Sequence, residues 1–273
     1  MKIKKYKKLK WIILLILLLA AIPLLAVAYY RIDPELLSKL SFYMDLANPA
    51  MRIVRVNEGL RKEQVAEVVA DKLGWGEADK DKFINAHLAL ATNTKADSEG
   101  RYFPKTYIIN KDAEPEAVSG TMFTEFSNQI SKVKKMKLKT INDATALKVA
   151  SIIQREAAGK QDMNLISGII WNRIWSGMKL QVDATLQYAK GSEEDGWWQQ
   201  VKSEDKKIKS PYNTYLYAGL PPSAIANPGR AAIEAAYNPS KTSCLFYIHD
   251  KNRKIHCSRT YEEHKKNIER YLK

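Results

Sequence analysis

The stretch 142-NDATALKVASIIQREAAGK-160 decides how the rest of this chain is read. Asn142 is a natural N-cap, Asp143 supports the first turn, and Gly159 is expected to end the helix. Val149, Ile152 and Ile153 stand seven, four and three residues before Glu156, which sets its carboxylate on the apolar face. An ionised carboxylate in apolar surroundings costs several kcal/mol unless it is paired, or it takes up a proton. A carboxyl kept protonated near neutral pH suits a general acid. The same residue type at a helix end also caps the helix or pairs with Arg155 or Arg173, so position alone leaves both readings open.

Working outward, the 273 residues are 45% hydrophobic and 10% aromatic, a globular composition. The formal net charge of +14 is unevenly spread, with six lysines in 1-MKIKKYKKLK-10. The segment 11-WIILLILLLAAIPLLAVAYY-30 has no charge and is long enough for the roughly 30 Å hydrocarbon core. Trp11, Tyr29 and Tyr30 mark its ends as interfacial aromatics do, and the lysines place the N-terminus in the cytoplasm. A cleaved signal peptide ending at Ala26-Val27-Ala28 is the rival reading, but the apolar run is long for one. Either way the main body is exported, which argues against nucleic acid as the partner of its positive charge.

Beyond the apolar segment, 51-MRIVRV-56 alternates as a strand, and 57–74 reads as a turn and then an amphipathic helix that closes at Gly74. Further helices are expected over 77–90, 115–136 and 162–177, with a strand at Thr106 to Ile109. From 178 onward the chain reads as irregular and polar-aromatic, with Pro221-Pro222 and Asn227-Pro228-Gly229 fixing loop shape. A short helix 229–237, a hairpin 245–257 and a final helix 260–272 complete the expected order. Cys244 and Cys257 flank the hairpin. A bridge is permitted in an oxidising compartment, but a turn centred on Lys251-Asn252 leaves the pair two residues out of register, so it is not favoured.

Nucleophile, nucleotide and zinc motifs are lacking: there is no Gly-x-Ser-x-Gly elbow, P-loop, dinucleotide fingerprint or zinc-protease helix. The four histidines form no metal-binding pattern, and neither metal nor cofactor is expected. What remains is carboxylate chemistry among Tyr, Asn and Gln, residues that stack on sugar rings and hydrogen-bond their hydroxyl and acetamido groups.

At this point the segment 150-ASIIQREAAG-159 resembles the Ala-Ser-Ile-Val-Glu-Lys-Glu signature of the endolytic murein transglycosylase (YceG-like) family. The segments 54-VRVNEGL-60, 99-EGRYFPKTY-107, 172-NRIWSGMKLQVDATLQY-188, 210-SPYNTYLYAGLPPSAIANPGRAAI-233, 238-NPSKTSCLFYI-248 and 258-SRTYEEH-264 agree with it in order and spacing. The resemblance implies an α+β protein: a basic cytoplasmic segment (1–10), a single transmembrane helix (11–30), a connector (31–50), a small LysM-like module (51–114) and a YceG-like catalytic domain (115–273). It implies cleavage of peptidoglycan glycan strands between N-acetylmuramic acid and N-acetylglucosamine, leaving 1,6-anhydro ends, by a protein of the bacterial cytoplasmic membrane. Peptidoglycan synthases are implied partners.

The family's catalytic glutamate maps onto Glu156. Gln154 replaces the signature's first glutamate. Asn172, Gln181, Asp183, Tyr212, Asn213, Tyr215 and Asn227 match motif positions and are expected to line a glycan groove. Ala184 and Lys105 depart from the pattern, standing for a proline and an aspartate. Two other functions stay open: a hydrolytic muramidase using Glu156 with Asp183, and a wall-binding scaffold without activity.

Overall fold

A computed structural model describes residues 34–86, 98–134 and 141–273. The expected membrane segment 11–30 lies outside these residues, and among the described ones no helix is long and apolar enough to cross a membrane. The chain divides into two compact units, Met1–Met51 and Arg52–Lys273. In the first unit the described residues, 34–51, include helix α1 (Pro34–Ala47), which exposes Leu40, Phe42, Tyr43 and Met44.

The second unit mixes helices with two small sheets, an α+β architecture. Strands β1 (Met51–Arg55) and β2 (Thr106–Asn110) pair, and helices α2 (Lys62–Leu73), α3 (Glu77–Asn85) and α4 (Pro115–Ser131) accompany them. Gly74 ends α2 in the left-handed conformation, with φ 72°, as its position predicted. Val54, Val65, Val69, Phe83, Tyr102 and Met122 form one core. Within it the Phe83 and Tyr102 rings stack at 4.7 Å, and the Tyr102 hydroxyl donates to the Phe83 carbonyl. Helix α4 serves two cores. Val118, Met122 and Phe123 belong to this one, while Phe126 and Ile130 belong to the next.

The second core is built around α5 (Asp143–Glu156), which packs against α6 (Lys160–Trp175) and α8 (Arg230–Tyr237). The Asn142 side chain accepts from Thr145 N–H at 2.8 Å, confirming the expected cap. Ala146, Val149, Ala150, Ile152 and Ile153 are buried, so the apolar stripe read from the sequence is the core face. Gly159 does not terminate this helix. The helix ends at Glu156, Ala157 is already extended, and Gly159 precedes α6. The corner is closed by Asp162, whose carboxylate accepts from the Ala158 and Gly159 N–H groups. Gly168 in α6 is needed for close approach: a Cβ there would lie 2.3 Å from the Ser240 carbonyl oxygen.

The region from 178 is more ordered than its composition predicted. Helix α7 (Asp183–Lys190) and a 3-10 turn (Glu204–Lys207) lie within it. The start of α7 is held by Thr214, whose hydroxyl accepts from Val182 N–H at 3.0 Å and meets the Thr185 hydroxyl at 2.9 Å. That partner is about thirty residues away, so no local cap signal announces the helix.

Strands β3 (Phe246–His249) and β4 (Ile255–Ser258) form the expected antiparallel hairpin, covered by helix α9 (Tyr261–Tyr271). Cys244 and Cys257 are bridged, contrary to the register argument. Tyr247, not Cys244, stands opposite Cys257. Cys244 precedes β3, where the Thr242 hydroxyl accepts from its N–H and Asn172 donates to its carbonyl, and its Cα lies 5.8 Å from that of Cys257.

Candidate active site

Glu156 is the last residue of α5, so its side chain leaves the core face where the helix stops. It opens into a cleft of about 420 Å³ walled by α6, the 180–183 segment, the 3-10 turn, β3 and α9. The Tyr247 hydroxyl donates to Glu156 Oε2 at 2.5 Å. Burial pushes the Glu156 carboxyl above its ordinary value, and the nearby Asp183 charge pushes the same way. The Tyr247 bond, the Ala184 N–H and His249 oppose them without reversing the outcome. The partly negative C-terminal end of α5 adds to the upward shift.

Asp183 and Gln181 line the same cleft. The Tyr215 hydroxyl donates to Asp183 Oδ1 at 2.5 Å, so the site contains two acid–tyrosine pairs. Gln181 takes a positive φ of 53°, uncommon for a residue with a side chain, and its N–H is held by the Thr214 carbonyl at 3.1 Å. This turn aims residues 181–183 at the cleft. Lys206 places its ammonium 4.8 Å from the centre of the Tyr215 ring at the cleft mouth.

Of the residues expected to line a groove, Gln181, Asp183 and Tyr215 do so beside Glu156. The other four act as supports. Asn172 donates to the Thr242 and Cys244 carbonyls and so shapes the entry to β3. Asn213 is fully buried; it donates to the Lys206 and Ile208 carbonyls and accepts from Tyr215 N–H, which fixes the loop carrying Tyr215. Tyr212 meets the Ser223 hydroxyl at 2.7 Å and packs on Tyr188. Asn227, also fully buried, accepts from Tyr102 N–H and donates to the Leu60 carbonyl, tying residues of the first core to the 224–229 loop.

Residue-by-residue reading overlooked Tyr247, Phe246, Tyr261 and His264, which line the cleft, and it cast Arg173 only as an ion-pair partner. Arg173 donates instead to the Leu180 carbonyl at 2.5 Å and the Leu245 carbonyl at 2.6 Å, with its guanidinium over the Phe246 ring. Arg155 turns away to the Trp198 ring, 3.7 Å from its centre. Tyr247 and His249 share one face of a short strand, a period-two signal that was available in the hairpin. Among the described residues no group of acids, histidines and cysteines is arranged to hold a metal ion.

An α+β domain with one shielded carboxyl at a helix end, set in an open cleft of tyrosines and cations, is the class that fold and site define. The chain belongs to the YceG-like family, which matches residues 4–270. It is 32% identical over 237 residues to the endolytic murein transglycosylase of Bacillus subtilis (strain 168), covering 80% of this chain and 65% of that protein. It is 26% identical over 251 residues to the protein of the same name from Streptococcus pneumoniae, covering 82% of this chain and 45% of that one. This chain therefore spans less than two thirds of the length of these relatives. A crystal structure of a YceG-like protein from Listeria monocytogenes superposes with a TM-score of 0.64 at 26% identity, over 78% of this chain and 74% of that one.

Proposed function

We propose that this chain is a membrane-anchored lytic transglycosylase that cuts peptidoglycan glycan strands internally, with Glu156 as its single acid and base. The observation that carries this reading is the Glu156 carboxyl, raised by burial yet opening into the cleft. Protonated, it gives its proton to the oxygen linking N-acetylmuramic acid to N-acetylglucosamine as the C1–O bond breaks. The carboxylate then takes the proton from the muramyl O6 as that oxygen bonds to C1, closing a 1,6-anhydro ring. The proton count closes and no water is consumed, so a second carboxylate is not required, unlike ordinary glycoside hydrolysis.

The exported body, with residues 51–114 read as a LysM-like module and 115–273 as the catalytic domain, would be held at the membrane by 11–30. Tethering raises the effective concentration of newly made strands there and suits a terminator of strand growth working beside peptidoglycan synthases.

Asp183 supports a second reading. It lines the same cleft, and hydrolysis by Glu156 as acid with Asp183 as base would use both acids. Mass spectrometry of uncrosslinked glycan strands treated with the full chain or its Glu156→Gln variant separates the readings. Anhydro-ended fragments from the parent alone are expected. Fragments one water heavier would establish hydrolysis instead, and an inert parent would support the scaffold.

A further inference from the structure

A lone carboxyl that must give a proton and then take one back faces a geometric difficulty. Its two oxygens exchange places by rotation, and either one can carry the proton. The cleft contains a device that breaks this symmetry. The Tyr247 hydroxyl donates to Oε2 of Glu156, 91 residues away in sequence, at 2.5 Å. Burial and the Glu156 charge push the Tyr247 phenol well above its ordinary value, so it remains a donor through the working pH range.

The same few groups fix both ends of this bond. Asp162, almost fully buried, accepts from Ala158 and Gly159 N–H directly after Glu156. Its Oδ2 also meets Nε2 of His249 at 2.7 Å, two residues along β3 from Tyr247. One buried acid thus clamps the corner that ends in Glu156 to the strand that carries Tyr247. Cys257, directly across the hairpin from Tyr247, is bridged to Cys244, and Arg173 grips the Leu245 carbonyl.

We propose that Tyr247 is the positioning residue of the single-carboxylate reaction: it holds Oε2 of Glu156 so that Oε1 alone hands the proton to the leaving oxygen and recovers one from O6. The proposal rests on the transglycosylase reading given above. Its consequence is a pH profile set jointly by Tyr247 and by the other groups facing Glu156: Asp183 on α7, His249 on β3, Arg173 on α6 and Tyr215 on its loop, together with the charge of Arg155 on α5, whose side chain turns away. A donor to a carboxylate favours the charged form, so its loss moves the Glu156 titration upward.

The test uses the full chain in detergent micelles with uncrosslinked glycan strands. Tyr247→Phe is expected to lower kcat about 10- to 100-fold with KM nearly unchanged. The alkaline limb of the kcat profile should move to higher pH. Where Tyr247→Phe does not fold, 3-fluorotyrosine at position 247 gives the opposite sign: a more acidic phenol donates more strongly and should move that limb to lower pH. A kcat and limb matching the parent in either variant would overturn the proposal. Product chemistry reads the underlying reaction separately. Reducing ends from the parent overturn the transglycosylase reading and with it the proton-return step, whereas anhydro ends with an unmoved limb overturn the role of Tyr247 alone.

Discussion

Two glutamates of this chain, Glu156 and Glu99, have carboxyls pushed above their ordinary value by burial, and each accepts from a tyrosine. Their surroundings differ in one respect. Glu99 is 1% exposed and enclosed by protein donors: the Lys62 and Gly100 N–H groups, the Tyr188 hydroxyl and the Asn227 amide. It joins α2 to the 224–229 loop. Glu156 meets Tyr247 on one oxygen and opens into the cleft. A raised carboxyl is therefore not by itself a sign of acid catalysis. An approach path for substrate distinguishes the structural acid from the chemical one.

The widest separation should appear in activity. Glu156→Gln is expected to lower glycan cleavage about 10²- to 10⁴-fold, and Glu99→Gln to leave it within about threefold, measured on the same strands. A large loss in Glu99→Gln with an unchanged fold would break the distinction.

The second effect lies in stability against pH. Glu99 is pushed up to about 8 in the folded chain, against an ordinary value of 4.5. Between those values the folded state holds a proton that the unfolded state has released, so stability falls as pH rises. The slope is at most about 1.4 kcal/mol per pH unit, and the contribution is fully present only below the unfolded value. Glu156 acts in the same direction. Urea denaturation from pH 5 to 8 should show this decline in the parent and a flatter curve in Glu99→Gln, whose amide does not titrate.

A smaller effect isolates the cleft side. Replacing both cysteines by serine removes the Cys244–Cys257 bridge and should cost about 2–3 kcal/mol in denaturant titrations, with a fall in kcat as β3 loosens behind Tyr247. The smallest concerns Gln154, which takes the place of the family signature's first glutamate. Its side-chain oxygen accepts from Gly229 N–H at the start of α8. Gln154→Glu gains from that helix N-terminus but meets the Glu58 carboxylate beside Gly229. The opposing terms should leave stability within about 0.5 kcal/mol and cleavage unchanged.

The sequence by itself determined what depends on near neighbours. The Asn142 cap, the buried stripe through Ile152 and Ile153, the position of Glu156 at its edge, the Gly74 stop and the final hairpin all follow from spacings of a few residues, because helix and strand periodicities are local. The ordered motifs also carried the family. The tertiary structure alone decided which groups meet Glu156. Tyr247 arrives from 91 residues away and Tyr215 from 32 residues beyond Asp183, while Thr214 holds the start of α7 and the path of the chain into β3 brings the cysteines together. Asn172, Asn213 and Asn227, which looked like ligand contacts, became backbone supports for the same reason. A buried amide satisfies whichever carbonyls and N–H groups the folded chain presents, and only packing across the whole domain fixes which those are.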